Sequence, residues 1–223
     1  KGVATQITTA LESQLHYFSK RKTQWIGNPV RKEITEGHRI AAFEKFGLDK
    51  DVPVVFVTGG GTGSLRVNQL IVEALPSLID HCQIIHLSGK DRPQELVQHS
   101  AELFPVHYHV YQFFTDEMKD AYAAADIVVS RGGFGTLTEI AALGKVAIII
   151  PKPGHQVENV LFLESKGAVV YVNEKTADGN YLAKIIRQLL EDTILQKQLS
   201  NNLRKLLPPA KDKEILEIYH HLV

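Results

Sequence analysis

Six short apolar runs, most of them rich in β-branched residues, leave this chain few architectures. They occupy residues 52–57, 83–87, 107–113, 125–129, 146–150 and 168–172. Most are apolar almost throughout, without alternation, so they read as strands buried on both faces. Between them lie helical patterns at 65–78, 92–103, 116–125, 140–143 and 156–166, and helices fill the tail from 181 to about 207 and from 212 to 222. This alternation predicts an α/β fold with a parallel sheet covered on both faces. A length of 223 residues suits one large domain, or one with part of a second.

Ahead of the first run the pattern is mixed. Leu11, Leu15 and Phe18 have near-helical spacing, and Ile34, His38, Ile40, Phe43 and Phe46 suggest a helix stopped by Gly47. Between them, Gly27-Asn28-Pro29-Val30-Arg31 reads as a hinge or a plain loop, because Pro29 fixes its own φ and forces Asn28 from the helical region. The chain opens on Lys1 with neither an initiating Met nor a signal-peptide pattern, and is expected to be a piece whose upstream portion is missing. No apolar run approaches the roughly 20 residues of a membrane span. Twenty-five basic residues balance twenty-five acidic ones, so no overall field favours nucleic acid. The single cysteine, Cys82, excludes a disulfide within the chain and a cysteine-based zinc site, and a reducing cytoplasm fits best.

Chemistry concentrates in three segments that follow strands. Thr58-Gly59-Gly60-Gly61-Thr62-Gly63-Ser64 follows the first run, and Ser130-Arg131-Gly132-Gly133-Phe134-Gly135-Thr136 the fourth. Glycines let a backbone approach a ligand, and each following helix offers unpaired N–H groups and a positive dipole end to a phosphate. Glu139, about one turn into the second helix, suits the paired hydroxyls of a ribose. Thr136-x-x-Glu139 is equally a capping box that touches no ligand. The first loop matches neither a Walker A motif nor G-x-G-x-x-G, which disfavours ATP or NAD. Pro151-Lys152-Pro153-Gly154-His155-Gln156 follows the fifth run. All three lie at strand C-termini, where open α/β sheets bind ligands, so one site gripping a diphosphate between two helix N-termini is expected.

The histidines carry a weaker signal. His107-x-His109 puts two imidazoles on one face of a strand and His220-His221 ends on a pair, yet neither has a third ligand at suitable spacing, so packing or surface roles are favoured over a metal. Lys20-Arg21-Lys22 is read first as a solvated charge run and second as a contact with an anionic membrane.

Five motifs in order resemble the C-terminal half of the MurG-like UDP-N-acetylglucosamine transferases: Gly27 to Arg31; Gly59 to Gly63 with Asn68; Ala125-Asp126 to Glu139; His155-Gln156-x-x-Asn159; and Gly167-Ala168. The resemblance implies a GT-B architecture, in which this chain supplies the Rossmann-like, doubly wound donor-binding domain. Residues 1–30 would be the tail end of an N-terminal domain and hinge, 31–207 the donor domain, and 208–223 a C-terminal helix packing back toward the missing domain. It implies that Glu139 binds ribose and that Gly133, Gly135 and Thr136 face the diphosphate beside Arg131. Gly61, Thr62 and Gly63 would approach the phosphates, with Arg31 adding positive charge. Phe114 and Thr115 would line the uracil pocket, and His155, Gln156 and Asn159 the sugar. Gly61 and Thr62 stand where the family often has Ser and Gln, which leaves backbone donors only, and Phe134 replaces a smaller residue and is expected to narrow the site.

The implied reaction is an inverting transfer of N-acetylglucosamine from the UDP-sugar to a lipid-linked peptidoglycan precursor at the inner face of the plasma membrane. No cofactor is implied, and no Asp-x-Asp metal motif is present. The catalytic base would lie in the missing domain, leaving this fragment inactive alone. Alternatives are a diacylglycerol or dolichol-type acceptor, a nucleotide-sugar epimerase of the same fold, or a non-catalytic nucleotide-sugar-binding module.

Overall fold

The computed structural model describes residues 4–220. Its strands are β1 (Ile7–Thr9), β2 (Thr23–Trp25), β3 (Val54–Thr58), β4 (Gln83–Leu87), β5 (Tyr108–Tyr111), β6 (Ile127–Ser130), β7 (Val146–Ile149) and β8 (Val170–Tyr171). Its α-helices are α1 (Arg39–Phe46), α2 (Leu65–Ala74), α3 (Glu95–Leu103), α4 (Met118–Ala124), α5 (Phe134–Leu143), α6 (His155–Ser165), α7 (Gly179–Glu191), α8 (Thr193–Leu206) and α9 (Asp212–His220). The expected end of the last helix at 222, and His221, lie outside the described residues.

Strands β3 to β8 form one parallel sheet in the order β5-β4-β3-β6-β7-β8, the doubly wound arrangement in which the chain starts at the centre and reverses direction across the sheet. Alternate residues of the central strands feed two separate cores. Val54, Phe56 and Val128 pack with Phe43 of α1, Tyr122 of α4 and Leu137 of α5. Val55, Val57 and Val129 pack with Leu70 and Ile71 of α2 and Ile186 of α7. Both faces being covered explains the continuous apolar runs, each large side chain contributing about 1.5–3 kcal/mol on burial. Cys82 belongs to the second core, where burial pushes its thiol up to about 12.

Several boundaries depart from the expectations. The 34–46 pattern divides into a 3-10 turn (Lys32–Glu36) and α1, because Gly37 passes so close to α4 that a Cβ there would lie 2.1 Å from the Lys119 carbonyl oxygen. Helix α2 gives way to a 3-10 turn over Leu75–Ser77, where Pro76 supplies no N–H. The single tail helix expected over 181–207 is two, separated at Asp192, whose carboxylate accepts from the Leu195 N–H at 2.8 Å and caps α8. Residues 11–18 hold a 3-10 helix (Glu12–Tyr17), flanked by β1 and β2, which pair in a small parallel sheet. Leu11 nevertheless joins the first core.

A buried polar chain ties the sheet to α2. His86 Nδ1 lies 2.6 Å from the Tyr108 hydroxyl and Nε2 3.1 Å from Asn68 Oδ1, while Asn68 Nδ2 donates to the Ser88 carbonyl at 3.0 Å. That last bond orients the Asn68 amide, so the imidazole carries its proton on Nε2 and accepts from Tyr108. Burial pushes the His86 pKa down to about 3. The unfolded chain therefore takes up a proton that the folded chain excludes, and stability falls as pH drops from about 6.5 toward 3, by at most about 1.4 kcal/mol per unit. In urea unfolding of wild type and His86→Phe from pH 7 to pH 4, the stability gap between them should narrow with acidification; a gap independent of pH would contradict a neutral buried imidazole.

Candidate functional site

Strands β3 and β6 are neighbours, with Thr58 opposite Ser130. Both glycine loops therefore leave adjacent strand ends and turn to opposite faces, into α2 and α5, opening a crevice between them. The first loop is shaped by Gly60 and Gly63, at φ 78° and 69°, and closed by Gly63 N–H donating to the Gly60 carbonyl at 3.0 Å. Ser64 caps α2 by accepting from Val67 N–H at 3.3 Å. In the second loop a Cβ on Gly132 would lie 2.7 Å from Val160 Cγ2, so this glycine seats the loop against α6. Gly133 is the N-cap of α5 and has no side chain to satisfy the first-turn N–H groups. The third loop ends at Gly154, φ 111°, with Gln156 Oε1 accepting from Lys152 N–H at 3.0 Å.

The three loops line one cavity of about 530 Å³. Of the predicted residues it gathers Gly61, Thr62, Gly63, Arg131, Gly133, Thr136 and Gln156. It adds Lys152 from the third loop, and Arg66, Arg92 and Glu174, which the motifs did not flag. Arg131 pairs with the Glu174 carboxylate and donates to the Ile150 carbonyl at 3.0 Å, while Arg66 donates to the carbonyls of Glu174 at 2.9 Å and Ala177 at 2.6 Å. Two dipole ends and four cations against one carboxylate make the cavity positive. Arg92 and Glu174 lie in loops after β4 and β8. Applying the strand-end rule to every strand was the signal that would have found them. A depression of about 610 Å³ beside the α7–α8 junction is lined instead by Glu191 and Asp192, the wrong sign for phosphate.

The capping-box expectation fails. Helix α5 starts at Phe134, leaving Thr136 inside its first turn, and the Glu139 carboxylate turns to other side chains. Arg31 donates to Glu139 Oε1 from Nε at 3.1 Å and Nη2 at 2.8 Å, and the buried Tyr122 hydroxyl donates to Oε2 at 3.2 Å. Burial and the neighbouring Glu139 charge raise the Tyr122 pKa well above its usual value, so the phenol stays a donor. Arg31 and Glu139 are not among the cavity-lining residues, and Arg31 meets α5 instead of the glycine loops. Asn28 fastens the same segment to α5, donating to Thr138 Oγ1 at 3.1 Å.

The other predicted residues are not among those lining the cavity. Phe114 has its ring in the core, 5.0 Å from Tyr111 and 5.7 Å from Phe46, away from the cavity lining; Thr115 N–H donates to Glu117. His155 is exposed in the first turn of α6, with Asn159 one turn on, and Gly135 lies exposed in α5. Phe134 packs on the first core instead of narrowing the cavity. In the charge run, Lys22 Nζ is used locally, donating to the Ala4 carbonyl at 2.9 Å.

Residues 54–213 match the family described as "Glycosyltransferase family 28 C-terminal domain". The chain is 30% identical over 228 residues to the UDP-N-acetylglucosamine--N-acetylmuramyl-(pentapeptide) pyrophosphoryl-undecaprenol N-acetylglucosamine transferase of Thermodesulfovibrio yellowstonii, covering 99% of this chain and 62% of that protein. The chain thus spans about three-fifths of that curated relative's length. Among solved structures it is similar in fold to Acinetobacter baumannii MurG, with a TM-score of 0.64, 24% identity, and 85% of this chain and 55% of that one covered. Anabaena HepE in complex with UDP-glucose is similar too, with a TM-score of 0.61, 15% identity and coverages of 97% and 64%.

Glycines in these loops divide into two kinds. A Cβ on Gly59 would lie 2.3 Å from the Ser64 nitrogen, whereas one on Gly135, inside α5, would meet nothing within 4 Å. In thermal unfolding, Gly59→Ala should lose about 2 kcal/mol or more, and Gly135→Ala should gain about 0.5–1 kcal/mol from helix propensity. Equal effects at both positions would contradict the division.

Proposed function

We propose a donor-binding role from one premise: this chain belongs to the glycosyltransferase family 28 C-terminal domain family. Its parallel sheet is that of the C-terminal half of a GT-B glycosyltransferase. The chain holds a UDP-sugar, most simply UDP-N-acetylglucosamine, for inverting transfer to a lipid-linked peptidoglycan precursor. The observation that carries this reading is the meeting of two glycine loops at adjacent strand ends, with Gly61, Gly133 and Gly135 each facing open space that the protein's own packing does not need.

In this reading the backbone donors of Gly61, Thr62, Gly133 and Thr136, with the α2 and α5 dipoles, take the diphosphate, while Gly63, whose N–H stays on the Gly60 carbonyl, lets it approach closely. They hold the charge that develops on UDP as the bond to the anomeric carbon breaks, where one lost donor typically costs about 2.7–4 kcal/mol. Glu139 takes the ribose hydroxyls. Arg31 already fills Oε1 twice, so ribose displaces it from the carboxylate and frees its guanidinium to swing toward the diphosphate. Phe114 and Thr115 meet uracil through their backbone, and Gln156 and Asn159, beside His155, meet the sugar. The base that takes the acceptor proton comes from a preceding domain. Residues 1–30 act as the tail of that domain and the hinge, 31–207 as the donor domain, and 208–223 as the segment, carrying α9, that returns toward it. No helix among the described residues is long and apolar enough to cross a membrane. A lipid-linked acceptor would bring the assembled enzyme to the cytoplasmic face, with Lys20 and Arg21 as candidate contacts with anionic lipid.

Calorimetric titration with UDP, UDP-N-acetylglucosamine and UDP-glucose tests the role, and no binding of UDP would overturn it. Wild type should bind UDP about 10- to 100-fold more tightly than 2′-deoxy-UDP. Glu139→Ala should bind both equally weakly. Persistence of the preference in Glu139→Ala would remove the ribose assignment.

A further inference from the structure

Arg92 stands apart from the other arginines of the cavity. Arg131 is committed to Glu174 and Ile150, and Arg66 to two carbonyls. Arg92 spends only Nε, which donates to the Thr62 carbonyl at 3.0 Å, and among the described residues no hydrogen bond or ion pair engages its Nη1 or Nη2. Its stem lies across the glycine loop: a Cβ added at Gly63 would come within 3.0 Å of Arg92 Cγ, and one at Gly89 within 3.2 Å. The segment bearing it is held at both ends. Gln94 Nε2 donates to the Gly89 carbonyl at 2.9 Å and the Arg92 carbonyl at 2.6 Å, Ser88 Oγ donates to Gln94 Oε1 at 2.7 Å, and Gly89 N–H donates to the Gln112 carbonyl at 3.1 Å. Gly63 and Gly89 approach so closely that a Cβ on either would lie under 3 Å from the other's Cα.

A guanidinium fixed at one nitrogen and open at the other two is preorganised for a doubly charged oxyanion, since little rotamer freedom remains to be lost. It reaches from the loop after β4 into the cavity that residues at both helix N-termini line, so a group resting on both helix ends is also within its field. We propose that Arg92 is a diphosphate-binding residue, strapped over the glycine loop, that supplies a side-chain cation where Gly61 offers only backbone. This rests on the donor-binding reading above and adds the means by which a diphosphate is preferred over a monophosphate.

The test is calorimetry of UDP, UMP and uridine on wild type, Arg92→Met and Arg92→Lys at two salt concentrations. Methionine keeps an apolar stem over Gly63 and Gly89 while removing the charge. Arg92→Met should weaken UDP about 10- to 100-fold, weaken UMP less, leave uridine unchanged and flatten the salt dependence for UDP, with Arg92→Lys between it and wild type. Wild type failing to bind UDP would sink the donor-binding reading itself. Wild type binding UDP while Arg92→Met binds it equally well would overturn the role of Arg92 alone. Loss of all three ligands in proportion would show that Arg92 merely shapes the loop, and would overturn it too.

Discussion

The register between β3 and β6 is the constraint on which the site depends. Thr58 and Ser130 sit opposite each other at the ends of two parallel strands separated by a long crossover. Their loops must diverge to opposite faces because the sheet reverses its winding there. A one-residue slip would turn Val55, Val57, Ile127 and Val129 toward the wrong core, so two hydrophobic cores enforce the register. The crevice is therefore a by-product of packing, and chemistry needs only the residues that line it.

Those residues are stiffened from beneath. The chain Tyr108–His86–Asn68–Ser88 crosses from β5 through β4 to α2 and returns to the loop that meets Gly63. Every member is satisfied, and leaving one unpaired at this depth would cost about 1–3 kcal/mol. The glycine loop thus owes its position to polar groups that never touch the cavity. Ser64, as cap of α2, completes the same support from the other side.

Much of this was legible in the residues. Continuous β-branched runs separated by helical patterns have essentially one stable arrangement, and glycines clustered after strands mark close backbone approach. The three-residue β1 and β2 were not legible, since so short a segment carries no period. Nor was the break at Asp192, which is made by a carboxylate and not by Gly or Pro. The role of Glu139 stayed open because Thr136-x-x-Glu139 satisfies the capping pattern whichever residue begins the helix. Only the actual start at Phe134, together with Arg31 and Tyr122 arriving from 108 and 17 positions away, decides against a cap. Arg66, Arg92 and Glu174 did not stand out for a plainer reason: single charged residues are common on surfaces, and only the strand-end rule, applied to every strand, marks the loops that carry Arg92 and Glu174.

The segment from Gly27 to Arg31 is clamped between two parts of the chain. Asn28 bridges to Pro209 and accepts from the Ala210 N–H at 3.0 Å, while Asn28 and Arg31 grip α5 through Thr138 and Glu139. A ligand that claims the Glu139 carboxylate competes with Arg31, which is mostly exposed and easily released. By reciprocity, anything that pulls residues 27–31 away from α5 changes affinity for that ligand by the same factor that the ligand changes the ease of pulling. Binding of such a ligand at Glu139 and the hold of residues 27–31 on α5 are thus a single equilibrium, read at two places.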